Sequence, residues 1–137
     1  MKTYETIVRV PYADTDKMGI VYHINYIKYF EMGRTEYLRT LGFPYAELEK
    51  EGVWLPVSSV HCAYKAPASY DDLLLVKTRV AALKGATIVM AYEIYNKDTG
   101  QLLVTGETKH PITDDQLRPI RLRNVKRELY DKMQESL

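Results

Sequence analysis

Asp14, Thr15 and Asp16 stand together in a short polar stretch with Gly19 three residues further on, and the chain then passes through His23 into the one long helical pattern of its first half. From the region of His23, Tyr26, Phe30, Gly33, Tyr37 and Leu41 recur at steps of three and four and form one apolar face. The first N–H groups of a helix have no partner within it, and together with the helix dipole they make a donor site for developing negative charge. A carboxylate delivered to such a helix start faces an electrophile held by backbone amides. That pairing suits attack on a carbonyl carbon, with the carboxylate as general base or as nucleophile. The competing reading is local, because Asp14, Thr15 and Asp16 could equally form an Asx turn that caps the helix.

The elements that would hold these residues follow from periodicity. Lys2 to Val10 alternates as a first strand ending at Pro11, and Gly42 closes the helix. Phe43 to Glu51 reads as a short helical turn between Pro44 and Gly52. From Val53 the period changes to two, and strands fit Trp54 to Lys65, Asp72 to Leu83, Ala86 to Asn96 and Gln101 to Ile112. The turns at Lys84-Gly85 and Asn96-Lys97-Asp98-Thr99-Gly100 are too short for anything but antiparallel neighbours. A strand, a long helix and an antiparallel meander give an α+β class, with one five-stranded sheet wrapped around one helix. Gly33 in mid-helix costs about 1 kcal/mol relative to alanine and marks a place where another backbone comes close. Leu117 to Leu137, rich in both signs, reads as a solvated amphipathic helix.

Composition bounds the function classes. A chain of 137 residues with 46% hydrophobic and 27% charged residues is one ordinary globular domain, 1–137. The net charge of +1 argues against a nucleic-acid partner that needs a basic face. The start MKTYETIVRV has no apolar signal region, and no run approaches the length of a membrane span, so a cytoplasmic protein without membrane insertion is expected. A single cysteine, Cys62, is expected to fill core, and no metal-ligand spacing is present.

The motif Y-x-D-T-D-x-x-G-x-V-Y-H-x-x-Y, here Tyr12, Asp14, Thr15, Asp16, Gly19, Val21, Tyr22, His23 and Tyr26, is followed by F-E-x-x-R-T-E-Y-L-R from Phe30 to Arg39. It resembles the acyl-CoA thioesterases of the hot-dog fold, within them the 4-hydroxybenzoyl-CoA thioesterase type and its Tol-Pal-associated bacterial branch. Tyr64 to Asp71 resembles that family's second landmark, a P-A-x-Y-x-D segment between two strands. The resemblance implies a hot-dog fold, an acyl-CoA substrate and no cofactor. It places the catalytic carboxylate on Asp16, points the His23 backbone N–H at the thioester oxygen, and gives Tyr12 and the His23 side chain a part in orienting water or the carboxylate. Asp14 and Thr15 are assigned to turn formation instead.

Gly19, Val21, Tyr22 and Tyr26 are expected at the substrate, among four tyrosines between Tyr22 and Tyr37 that divide between core and acyl pocket. Lys65 and Lys84, beside strand ends, or the cations of the C-terminal segment, could meet the phosphates of coenzyme A. His61 and His110 are read as structural. Glu31 and Glu36 keep a rival open, since hot-dog dehydratases pair a loop histidine with a helix acid; a non-catalytic acyl-binding module is a third reading. An acyl-carrier protein is the alternative to coenzyme A. A single sheet around one helix leaves an open edge, and Leu73 to Val76 is apolar on both faces, so a two-fold dimer, paired into a tetramer, is expected. A protomer whose sheet is filled by its own helix has no interior left for an acyl chain, which places the active site at the dimer interface.

Overall fold

The computed structural model describes all 137 residues. Its strands are β1 (Tyr4–Arg9), β2 (Ser59–Tyr64), β3 (Leu73–Lys84), β4 (Thr87–Asn96) and β5 (Leu102–Pro111), in one antiparallel sheet of order β1-β3-β4-β5-β2. The helices are α1 (Asn25–Thr40), α2 (Tyr45–Lys50), α3 (Leu122–Val125) and α4 (Arg127–Ser136). This is the hot-dog arrangement, with α1 lying along the inner face of the sheet. No helix is long and apolar enough to cross a membrane.

Two glycines let α1 lie that close. A Cβ on Gly33 would stand 2.5 Å from Thr78 Oγ1 and 2.9 Å from Val76 Cγ1, so the helix backbone rests directly on β3. Gly106 of β5 does the same from the sheet, leaving room for the Phe30 ring, which stacks on Tyr92 with centroids 4.4 Å apart. In the sequence the first approach is singled out and the second is not, although a glycine inside a strand can equally mark a close approach. At its other end α1 stops in a Schellman motif: the Gly42 N–H donates to Arg39 and the Phe43 N–H to Leu38, with Gly42 at φ 91°.

Several boundaries move. The strand expected from Trp54 begins only at Ser59; Trp54 and Thr113 exchange backbone hydrogen bonds, and Pro56, which has no N–H, then interrupts the ladder. The C-terminal segment is not one solvated helix. It breaks at Lys126 (φ −142°, ψ 68°), and Leu122, Leu129 and Met133 are buried in the core.

A polar chain also crosses this core. Arg34 Nη1 donates to Tyr92 Oη at 3.1 Å, Tyr92 Oη and Thr108 Oγ1 are 2.6 Å apart, Thr108 Oγ1 and His110 Nε2 are 2.7 Å apart, and His110 Nδ1 meets the Leu55 carbonyl at 3.3 Å. A carbonyl only accepts, so Nδ1 carries the proton and Nε2 accepts from Thr108, which in turn accepts from Tyr92. Burial first, then the nearby Arg34 cation, pushes the His110 imidazole down to about 4. His110 is thus a neutral structural histidine.

Candidate active site

The Asp14–Asp16 stretch folds because its backbone is paired on both sides. A single 3-10 turn, Tyr12–Asp14, leads into a miniature hairpin in which Thr15 bridges Val21 and the Asp16 N–H donates to the Ile20 carbonyl at 2.9 Å. Gly19, at φ 78°, closes that hairpin by donating to the Asp16 carbonyl at 3.0 Å. The chain after β2 grips it from outside: the Val21 N–H donates to Ala68 O at 2.8 Å and the Tyr70 N–H to Gly19 O at 3.3 Å. That segment is itself set by Asp72, whose carboxylate accepts the Ser69 N–H at 2.8 Å.

Asp16 therefore sits half-buried at a fixed corner. Its Oδ1 accepts the Met18 N–H at 2.8 Å, and its Oδ2 has no partner in the protein. Nine residues on, at Asn25, the chain enters α1 without a capping side chain. The N–H groups of Asn25, Tyr26 and Ile27 bond back to Tyr22, His23 and Ile24, while those of His23 and Ile24 donate to no protein acceptor. An acceptor-only carboxylate and a pair of uncommitted amides at a helix N-terminus thus belong to one loop. Together they supply the two kinds of group that attack on a carbonyl carbon requires, a base or nucleophile and donors for the oxygen.

The surroundings are aromatic. The His23 ring lies 4.7 Å from Tyr22 and 6.1 Å from Tyr64, centroid to centroid, and the Tyr64 hydroxyl donates to the His23 carbonyl at 3.1 Å. Tyr12, 75% exposed, sets its ring edge-on to Tyr70 at 5.5 Å and makes no hydrogen bond to Asp16. Tyr22 is exposed beside His23, and Gly19 is exposed at the turn.

Other expected site residues are elsewhere. Val21 and Tyr26 are buried rather than lining a cleft; Tyr26 spends its hydroxyl accepting the Ala68 N–H at 3.1 Å. Lys65 follows Tyr64 at the site end of β2, but Lys84 lies at the opposite end of the sheet. β3 enters beside Arg9, and a further eleven residues at roughly 3.3 Å each carry Lys84 about 36 Å away, out of reach of Asp16 in the same protomer. Glu36 pairs with Arg39 one turn on, and Glu31 lines a cleft with Arg34, Tyr45 and Leu55 away from the loop.

Asp14 departs furthest from expectation. It is Asp16 that makes the Asx turn, while the Asp14 carboxylate is buried against α1, 2.6 Å from Lys28 Nζ and 2.7 Å from Tyr29 Oη. No local spacing signals this, since its partners lie 14 and 15 residues along the chain. Cavities of about 430 Å³ open on the outer sheet face, among Lys77, Arg79, Glu93 and Glu107, and about 470 Å³ near the C-terminus. Neither includes Asp16 or His23.

A five-stranded antiparallel sheet of this order filled by one long helix, with a carboxylate loop leading into that helix, is the architecture of hot-dog thioester-processing proteins. Residues 10–135 match the family model described as the thioesterase-like superfamily, and the chain belongs to that family. YneP of Bacillus subtilis (strain 168) is 39% identical over 119 residues, 86% of each chain. The acyl-CoA thioesterase YbgC of Haemophilus influenzae is 48% identical over 83 residues, 60% of this chain and 61% of that one. Among solved structures, the DHNA-CoA thioesterase of Staphylococcus aureus superposes with a TM-score of 0.90 at 38% identity, covering 98% of this chain and 93% of its own.

Proposed function

We propose that this protein is an acyl-CoA thioesterase, hydrolysing the thioester to a carboxylic acid and free CoA. The names of its relatives and structural neighbours support the activity, and one observation carries the chemistry: Asp16, with one carboxylate oxygen uncommitted, shares a loop with the uncommitted N–H groups of His23 and Ile24. As general base, Asp16 takes a proton from water as the water oxygen bonds to the carbonyl carbon. The oxyanion is held by the His23 N–H, and collapse breaks the C–S bond, with the proton passing to the departing thiolate. As nucleophile, Asp16 instead forms a mixed anhydride and expels the thiolate before water hydrolyses the anhydride. Both routes give the same products.

The reading includes a two-fold dimer joined along β2, with two dimers pairing into a tetramer. β2 is a sheet edge; Val60 is 42% and Tyr64 48% exposed on it, and Ile24 and Ile27 of α1 add 54% and 37% exposed apolar side chains. A second copy there would cover this surface and wall a cleft over Asp16, which neither the outer-face cavity nor the one near the C-terminus includes. Lys65, which follows Tyr64 at that end of β2, would meet a CoA phosphate at the mouth of that cleft.

The test is release of thiol, followed with a thiol reagent, from acetyl-, hexanoyl-, palmitoyl- and benzoyl-CoA and from an acyl-carrier protein thioester. Stoichiometric CoA release supports the reading. An enoyl absorbance change without thiol release would replace it with a dehydratase, and saturable binding with neither would leave a binding module.

A further inference from the structure

The chemistry assigned to Asp16 and His23 leaves unused the most heavily engaged carboxylate of the chain. Asp14 is only 6% exposed, and its two carboxylate oxygens accept from Lys28 Nζ and Tyr29 Oη. Its backbone carbonyl accepts twice more, from the Tyr22 N–H and from Asn25 Nδ2, each at 2.9 Å. One residue therefore grips the chain immediately before His23 and three residues in the first turns of α1. Burial pushes the Asp14 carboxyl up, but the hydrogen bonds from Lys28 and Tyr29 outweigh it and hold the group below the usual carboxylate value. The site is built for a charged oxygen pair.

Asp14 is also one residue from the hairpin that carries Asp16. Thr15, its neighbour, bridges Val21, and Val21 leads straight into Tyr22 and His23. Any shift of Asp14 relative to α1 therefore moves the Asp16 carboxylate relative to the His23 N–H. We propose that Asp14 is a positioning residue whose carboxylate, clamped by Lys28 and Tyr29, fixes the separation between the Asp16 carboxylate and the His23 amide. The inference rests on the Asp16 and His23 reading above.

The chemistry of the clamp makes it testable without changing its size. An ammonium only donates, so Lys28 needs an acceptor, whereas the Tyr29 hydroxyl donates to Oδ2 and can also accept. Asparagine can keep its oxygen toward Lys28 and turn its NH₂ group to the Tyr29 hydroxyl, but both bonds then lose the carboxylate charge, and charge-assisted hydrogen bonds are about twice as strong as neutral ones. Asp14→Asn thus loosens the clamp at constant volume. A misplacement on the order of 1 Å costs roughly 100-fold in rate, so kcat is expected to fall about 10-fold to 100-fold while KM stays within about threefold. Lys28→Gln, added to Asp14→Asn, replaces the ammonium that has lost its counter-charge by an amide that can both donate to and accept from the asparagine, and is expected to recover most of kcat without restoring the charge.

The experiment measures kcat, KM and thermal unfolding for Asp14→Asn, Asp14→Asn/Lys28→Gln, Tyr29→Phe and Asp16→Asn on the acyl-CoA turned over fastest. A kcat loss in folded Asp14→Asn that the double variant reverses supports the proposal. Unchanged kcat with a lowered unfolding temperature overturns it, as does a loss the double variant leaves in place. If Asp14→Asn does not fold, Tyr29→Phe decides: it removes one anchor from the helix side, and a kcat equal to wild type overturns the proposal, whereas a several-fold fall supports it. Asp16→Asn separates the two levels. Full activity there removes the underlying assignment, while an inactive Asp16→Asn beside an unimpaired Asp14→Asn removes only the positioning role.

Discussion

Acid is expected to destabilise this protein through one buried histidine, well before its carboxylates are protonated. His110 is 1% exposed, with a value of about 4 against 6.5 for an unperturbed imidazole. A proton on Nε2 would turn the Thr108 hydroxyl around, drive its hydrogen toward Tyr92 and set the Tyr92 hydrogen against the Arg34 guanidinium. The folded chain therefore refuses the proton that the unfolded chain accepts. The sign follows: stability is full above pH 6.5, falls as pH drops toward 4, and levels off below that. With one pKa unit worth 1.36 kcal/mol, the shift costs about 2 kcal/mol between pH 7 and pH 5, a large part of a typical domain's stability. The assay is urea unfolding followed by circular dichroism at pH 7 and pH 5, at fixed protein concentration, for wild type and His110→Gln. The variant cannot titrate at this position. Its loss between the two pH values is expected to be smaller by about 2 kcal/mol, whatever its stability at pH 7. Equal losses, within about 0.5 kcal/mol, would refute the donor chain and the neutral imidazole.

Three further outcomes follow from the geometry. Asp16→Asn keeps the Met18 N–H acceptor but is neither basic nor comparably nucleophilic; kcat is expected to fall at least about tenfold with acyl-CoA binding retained, and a smaller loss moves attention to Glu31. Gly33→Ala drives a methyl to 2.5 Å from Thr78 Oγ1 and is expected to cost about 1–3 kcal/mol by overpacking, read as a lowered unfolding temperature; an unchanged temperature would mean that α1 can lift off β3 freely. Val60→Asp places a charge on the open edge of β2 and is expected to yield monomers by light scattering, with thioesterase activity lost in parallel; active monomers would place the whole site within one chain.

The sequence by itself determined the elements and the loop that matters. Alternation over β3, β4 and β5 and steps of three and four over α1 are local patterns, repeated every two residues or every turn, so they survive without knowledge of the partner surface. Gly33 and Gly42 were legible for the same reason, one breaking a helical face and one ending it. Motif residues such as Asp16 and His23 also carried their own signal, because a carboxylate loop joined to a helix start is contiguous chain. Tertiary structure decided what depends on distant residues meeting. It put Asp14 rather than Asp16 beneath the loop, through partners 14 and 15 residues away, and it buried Tyr26 and Val21 under the Ala68 segment. It also carried Lys84 to the far end of β3 and turned the C-terminal helix inward at Leu129 and Met133. Each of these is a choice among partners for a buried group. A hydrogen bond or an apolar contact identifies its partner by proximity in space, and only the closed sheet with α1 against it brings those partners within reach.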